Sequence, residues 1–215
     1  MRILAAADIH GQWPVYDWLL TVARNERVEA IVLAGDLLSG AEGFDSVEKS
    51  QLHEARMLTD LLDGAGVPVL YLMGNDDLVE LNPTSDRIQS VHGKRVNLGR
   101  FAFAGYQYSL PWMGGIFEKP EAAIESDLHG LAQNVDSDTI FVSHSPAFSI
   151  LDGPNTIGSR ALLCFLGTNG FRAHIHGHCH SGFGRYENHF NVASAGQRRA
   201  IIIDLETMWH RIIAG

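Results

Sequence analysis

The sequence predicts an α/β protein, on three observations. Apolar runs rich in β-formers alternate with amphipathic helical stretches along most of the 215 residues. Hydrophobic residues make up 46% and charged residues 19%, with mean hydropathy near zero, a balance that argues against disorder and is ample for a buried core. There is no internal repeat, low-complexity tract or Pro/Ser-rich linker, so residues 1–215 read as a single domain with two packed sheets.

Each element has its own reason. Residues 2–7, Arg-Ile-Leu-Ala-Ala-Ala, form the first strand. Residues 14–24 follow as a helix, with Pro14 in its first turn and Val15, Trp18, Leu19, Val22 and Ala23 at helical spacing. A second buried strand occupies Ala30–Ala34. Asp45 or Ser46 can cap a helix that carries Val47, Ala55, Leu58, Leu61 and Leu62 and stops at Gly64 and Gly66. Residues 67–73 make a third strand. From about 87 to 105 the pieces become short and alternating, with Arg95–Leu98 and residues 101–104 reading as antiparallel strands. Then come a helix at Glu121–Leu131, a strand at Thr139–Ser143, a helix over 159–166 and a strand over 173–177. Strands at 189–193, 200–205 and 208–213 close the chain. The long stretch 107–119, with Pro111-Trp-Met-Gly-Gly115, reads equally as a functional loop or as one that Trp112 and Phe117 plug onto the core.

The charge balance excludes some functions. Sixteen Lys and Arg against 25 Asp and Glu give a formal charge of −9, which disfavours a broad nucleic-acid or membrane footprint and leaves room only for a local groove. No run approaches the roughly 18 apolar residues of a membrane span. Two cysteines, Cys164 and Cys179, cannot build a disulfide framework and suit a reducing compartment. The N-terminus enters a strand without a leader-like segment, so the expected location is the cytoplasm. Homo-oligomerisation is compatible with all of this.

The chemistry lies where the strands end. The first strand delivers Asp8-Ile-His10, the second Gly35-Asp36, and the third Gly74-Asn75-Asp76-Asp77. The strand Thr139–Ser143 delivers His144, and the strand from Ala173 delivers Gly177-His178-Cys179-His180. Ligands of open α/β sheets bind at such carboxyl ends. On an extended segment residues two apart share a direction, so Asp8 should converge with His10 and His178 with His180. The preceding glycines allow sharp turns and close backbone approach. Each piece alone is weak: Asp-x-His is common, and His178 with His180 could be a solvated run. Five pieces at five strand ends are hard to assign to chance. Two scattered cysteines also argue against a closed, thiolate-rich structural zinc site. Asp8, His10, Asp36, Asn75, His144, His178 and His180 suffice for two ions if Asp36 bridges. Mixed imidazole, carboxylate and amide donors suit Mn, Fe, Zn, Co or Ni. Two divalent cations against Asp8 and Asp36 leave a locally positive pocket, and hence an anionic substrate.

As an ordered set, these residues resemble the calcineurin-like metallophosphoesterases, whose pattern is D-x-H, G-D, G-N-H-[DE], H and G-H-x-H. The likeness runs from residue 8 to 180, and the stretch from Leu151 to Ser159 resembles small prokaryotic members. It implies a four-layer α/β/β/α sandwich of two mixed sheets. It also implies Asp8, His10, Asp36 and His180 on one metal, and Asp36, Asn75, His144 and His178 on the other. The implied activity is phosphoester hydrolysis through a hydroxide bridging two ions, Mn first among them, on a small-molecule or nucleotide substrate. One position departs: Asp76 stands where the family usually has His, with Asp77 at the acidic position that follows. An Asp beside the cations is a poor acid, which favours phosphodiesters over monoesters, with Asp76, Asp36 and Asn75 as the catalytic candidates. His176 could orient a ligand but reads better as an ordinary strand residue, and Cys179 reads as packing. The rival from another class is a non-enzymatic protein-binding scaffold of the same fold. Substrate choice should lie in the loops 39–46, 107–119 and 152–159.

Overall fold

A computed structural model describes residues 1–40 and 43–215 of the chain, so residues 41 and 42 of the predicted 39–46 loop lie outside the described residues. In chain order the elements are β1 (Arg2–Ala6), α1 (Trp13–Asn25), β2 (Ala30–Ala34), α2 (Val47–Asp63), β3 (Val69–Leu72), β4 (Ile88–Ser90), β5 (Arg95–Leu98) and β6 (Phe101–Tyr106). They continue with α3 (Glu121–Leu131), β7 (Thr139–Ser143), α4 (Arg160–Asn169), β8 (Ala173–His176), β9 (Gly184–Tyr186), β10 (His189–Asn191), β11 (Arg199–Asp204) and β12 (His210–Ala214). Ser46 caps α2 by accepting from the Lys49 N–H, and Ser159 caps α4 by accepting from Leu162 N–H.

The strands form two six-stranded mixed sheets, ordered β12-β11-β1-β2-β3-β4 and β5-β6-β7-β8-β10-β9. In the first, β1 through β4 run parallel and β11 and β12 complete the edge in antiparallel fashion. In the second, β6, β7, β8 and β10 are parallel, flanked by antiparallel β5 and β9. The central strands are buried on both faces, which is why they read as unbroken apolar runs. Ile3, Ala5, Val32 and Leu72 of the first sheet pack against Phe103, Ile140, Val142 and Ile175 of the second. The opposite face, with Leu4, Ala6 and Leu33, meets Leu19 of α1 and Leu58 of α2. Phe141 meets Ile124 of α3 and Leu162 of α4. The result is the four-layer α/β/β/α sandwich expected from the resemblance.

Two strands escaped the sequence reading. β4 joins the first sheet parallel to β3, although its surroundings suggest antiparallel pieces, and β9 is the short outer edge of the second. Both are only three residues long, too short for alternation to be visible. No helix among the described residues is long and apolar enough to cross a membrane. The 107–119 loop is pinned by Phe117, which is buried, whereas Trp112 is 72% exposed.

Candidate metal centre

The parallel order of β1, β2 and β3 in one sheet and of β7 and β8 in the other brings their carboxyl ends to a common seam. All seven predicted ligands arrive there. Asp8, His10 and His180 present donor atoms within 4.8 Å of one another, and so do Asp36, His144 and His178. A third such group, His10, Asp36 and Asp76, joins the first two. Asp36 lies between the two: its Oδ2 is 4.0 Å from His10 Nε2, and its Oδ1 is 3.4 Å from His144 Nε2. Asn75 Oδ1 sits 3.0 Å from the same His144 nitrogen, and His180 Nε2 is 3.1 Å from Asp8 Oδ1.

The local backbone explains how these side chains meet. Asp8, His10, Asp36 and His178 all adopt left-handed φ values, at 56°, 49°, 52° and 66°. Such conformations strain an ordinary residue by about 1–3 kcal/mol and concentrate at functional sites. The chain is therefore turned, not extended, and this corrects the pairing expected from two-residue spacing. Asp8 and His10 do converge, but through a turn; His178 faces Asp36 and His144 while His180 faces Asp8. Glycine is required at the closest approaches. A Cβ at Gly74 would overlap the Asp36 carboxylate, and one at Gly177 would stand 2.6 Å from Asp8 Oδ2.

Hydrogen bonds fix the donors. His144 Nδ1 lies 2.9 Å from the Ala34 carbonyl, which can only accept, so in the neutral ring the proton sits on Nδ1 and Nε2 is left as a lone pair aimed into the site. Asp8 accepts from the His178 N–H at 3.0 Å, and Asp36 Oδ1 accepts from the Asp76 N–H at 2.9 Å. The Asp76 carboxylate accepts from Asn75 Nδ2 at 2.9 Å, turning the Asn75 carbonyl oxygen toward His144.

Electrostatics point the same way. Burial alone would raise the Asp36 carboxyl, but the charge and hydrogen bond of His144 outweigh it and hold Asp36 below the usual carboxylate range. Burial opposes protonation of His144, yet the Asp36 carboxylate draws it up to about 10. His178 is pushed down to about 4, by burial first and by His144 second. The hydrogen bond to Asp8 raises His180. Asp76 is raised by burial and by repulsion from Asp36. A cation among these groups would relieve the crowding of Asp36, Asp76 and Asp8 and engage the imidazole lone pairs. Donors bound to one ion at about 2.0–2.2 Å lie about 3–3.5 Å from each other, which is the spacing of the His144, Asn75 and Asp36 donor atoms. The donor set thus fits divalent transition metals.

Several residues support the site from beneath, of which Glu54 and Gln51 were not singled out in the sequence. Asp77 is fully buried and accepts from the N–H groups of Leu37, Leu38 and Gly74, tying the second and third loops together. Burial and the nearby Asp36 raise it to about 8. Glu54 and Gln51 of α2 are buried beneath the same loops, Glu54 accepting from Ser39 and Gln51 bonding Asp76 and Leu78. Their spacing of three, on the side of α2 that also carries Leu58, was the available signal. Among the described residues His176 belongs to none of the metal-competent groups, and Cys179 is buried, its Sγ 3.5 Å from Ser181 Oγ and its carbonyl accepting from Asn191 and the Gly182 N–H.

A sandwich with two His/Asp clusters at its parallel strand ends defines a class that comparison identifies. The family model for calcineurin-like phosphoesterase matches residues 1–182, and the chain belongs to that family. No curated protein matches it. Among solved structures, a Thermus thermophilus protein superposes with a TM-score of 0.77 at 17% identity, covering 99% of this chain and 98% of the other. A dimetal phosphatase from Danio rerio reaches 0.62 at 14% identity over 94% and 91%. The anchor of the Plasmodium inner membrane complex reaches 0.55 at 19% over 92% and 72%. At such identities the likeness is one of fold.

Proposed function

We propose that the whole chain, residues 1–215, is a dinuclear-metal phosphodiesterase of the cytoplasm acting on a small-molecule or nucleotide phosphoester, with Mn²⁺ the first choice of metal. The observation that carries this reading is Asp36, whose two oxygens face two separate imidazole-containing groups. In this reading Asp8, His10, Asp36 and His180 hold one ion, and Asp36, Asn75, His144 and His178 the other. Bound there, the ions would supply Lewis-acid stabilisation of the phosphoryl oxygens and activation of water. The residues supply alignment: Ala34 orients His144, Asp76 orients Asn75, and the His178 N–H steadies Asp8.

Asp76 sets the substrate class. Its Oδ2 lies 3.4 Å from His10 Nδ1, at the edge of the seam. Beside cations its carboxylate stays ionised, so it donates no proton and repels a monoester dianion more than a diester monoanion. The test is hydrolysis of matched aryl diesters and aryl monoesters by protein stripped with chelator and reloaded with Mn²⁺, Ni²⁺ or Co²⁺. Wild type should prefer the diester, and Asp76→His should shift the ratio toward the monoester by roughly tenfold or more, with the roughly 10²–10⁴-fold of full general acid help as the ceiling. A monoester preference in wild type, or an unmoved ratio, overturns the argument. The second reading is a non-enzymatic scaffold, suggested by the fold neighbour described as an anchor. The full donor set favours the enzyme, and failure to take up metal would favour the scaffold.

A further inference from the structure

A cavity of about 490 Å³ opens beside the proposed centre and shares His10, Asn75 and Asp76 with it. That volume is in the usual range for a small-molecule site. Away from the shared residues its wall is aliphatic: Leu38, Val47, Leu78 and Met113. The polar side chains in that wall, Ser39 and Gln51, already have partners. Ser39 gives its N–H and its hydroxyl to Glu54, at 2.7 and 2.8 Å. Gln51 donates to the Asp76 carbonyl at 2.9 Å and accepts from the Leu78 N–H at 2.5 Å. The turn that closes the wall points backbone N–H groups inward on themselves: Trp112, Met113 and Gly114 all donate to Glu118, at 2.8–2.9 Å. Those N–H groups are therefore taken up by the chain's own carboxylate and offer no cradle to an anion. No Lys or Arg lines the cavity among the described residues.

We infer that this cavity is a subsite for an uncharged, aliphatic substituent of the phosphoester, so that the substrate carries its only charge at the phosphoryl group. The inference rests on the phosphoesterase reading and narrows it. A second phosphate or a carboxylate would find no cation there and would face Asp76; a sugar would find its hydrogen-bonding partners occupied. An alkyl chain meets Leu38, Leu78 and the exposed Val47 and Met113, whose apolar area is released from water on contact. No Phe, Tyr or Trp lines the cavity among the described residues, so the subsite favours aliphatic groups over a stacked base.

The experiment uses two readouts on Mn²⁺-loaded protein: calorimetric binding of methyl-, butyl- and 3-carboxypropyl-phosphonate, and kcat/KM for p-nitrophenyl methyl and p-nitrophenyl butyl phosphodiesters. Butyl should bind at least tenfold tighter than methyl, below a ceiling of about 60-fold for three fully buried methylenes. The carboxypropyl compound should lose that gain, and kcat/KM should follow the butyl preference. Val47→Asp and Met113→Asp, both at exposed positions, should each reduce the butyl-to-methyl binding ratio at least threefold. Equal binding of methyl and butyl, or tighter binding of the carboxylate, overturns the subsite whether or not any diester is hydrolysed. Chain-dependent binding without hydrolysis of either diester supports the subsite and refutes the enzymatic reading instead.

Discussion

Strand β8 and the residues after it carry histidine at every second position, His174, His176, His178 and His180, and the two halves of that run meet opposite fates. The first pair stays in the sheet. His174 and His176 are fully buried and stacked 5.0 Å apart, beside Phe141 and Phe171. His174 is locked in a chain of donors: the Ser143 hydroxyl donates to the Ser145 carbonyl, His174 Nε2–H donates to Ser143, and His189 Nδ1–H donates to His174 Nδ1. With Nε2 donating and Nδ1 accepting, His174 must be neutral in that chain. The second pair leaves the sheet at Gly177 and faces Asp8 and Asp36. Residue type and spacing are the same in both halves. What separates a core histidine from a metal-competent one here is the end of the strand and the presence of carboxylates.

The strongest way to break the second half is to remove its shared carboxylate. Asp36→Asn keeps the shape but takes charge from both histidine groups and weakens the pull on His144. Turnover should fall about a thousandfold, equivalent to about 4 kcal/mol of barrier, and metal content measured by atomic emission should drop below two per chain. The helical circular dichroism should not change. Near-normal turnover with two ions bound would refute the bridging role.

A subtler break moves the boundary between the halves. In Gly177→Ala the new methyl meets Ala7 Cβ and Asp8 Oδ2, both at 2.6 Å, and the Ala34 carbonyl at 3.0 Å. Overpacking of this kind destabilises by about 1–3 kcal/mol. Because the clash falls on Asp8, metal affinity should fall alongside melting temperature. Wild-type affinity in a destabilised variant would show that the glycine serves packing alone.

How far the sequence could be read follows from the same contrast. The long elements were legible because Val15, Leu19 and Ala23 of α1 and the unbroken runs of β1, β2 and β7 carry their period in plain view. All seven proposed ligands were legible too, because each sits just past a recognisable strand. Which histidine joins which carboxylate did not follow from spacing, since left-handed turns at Asp8, His10 and His178 replace the alternation that spacing assumes; the family resemblance supplied that pairing. Glu54 and Gln51 were missed for a different reason, and Asp77 was read only as the acidic position of the resemblance, without its structural role. A buried polar side chain leaves no local pattern when its partners are distant in sequence: Glu54 is met by Ser39, 15 residues away, Gln51 by Asp76 and Leu78, 25 and 27 away, and Asp77 by Leu37 and Leu38, 40 and 39 away.

The first half of the run yields the smallest effect, and it is one of acid stability. Burial depresses His174 well below the usual imidazole range and takes His189 down to about 4. Both are neutral in the folded protein, whereas in the unfolded chain they take up protons below about pH 6.5. The unfolded state therefore binds more protons in that window. The stability these rings contribute is complete above pH 6.5 and is lost as pH falls toward 4. Each ring gives up at most about 1.4 kcal/mol per pH unit, so chelator-treated protein at pH 5.5 should melt roughly 5–10 °C below its value at pH 7.5. The raised His144, His180 and Asp77 work in the opposite sense, the lowered His176 and His178 work in the same sense, and a chelated background keeps metal release out of the comparison. His174→Phe sharpens the test: the new ring faces Phe141 and Phe171, and Ser143 keeps its bond to Ser145. That variant should have a shallower acid slope, by the His174 share of at most about 1.4 kcal/mol per pH unit, while binding the same amount of metal as wild type. An unchanged slope would show that the donor chain does not enforce neutrality, and lost metal would show that the two halves are not independent.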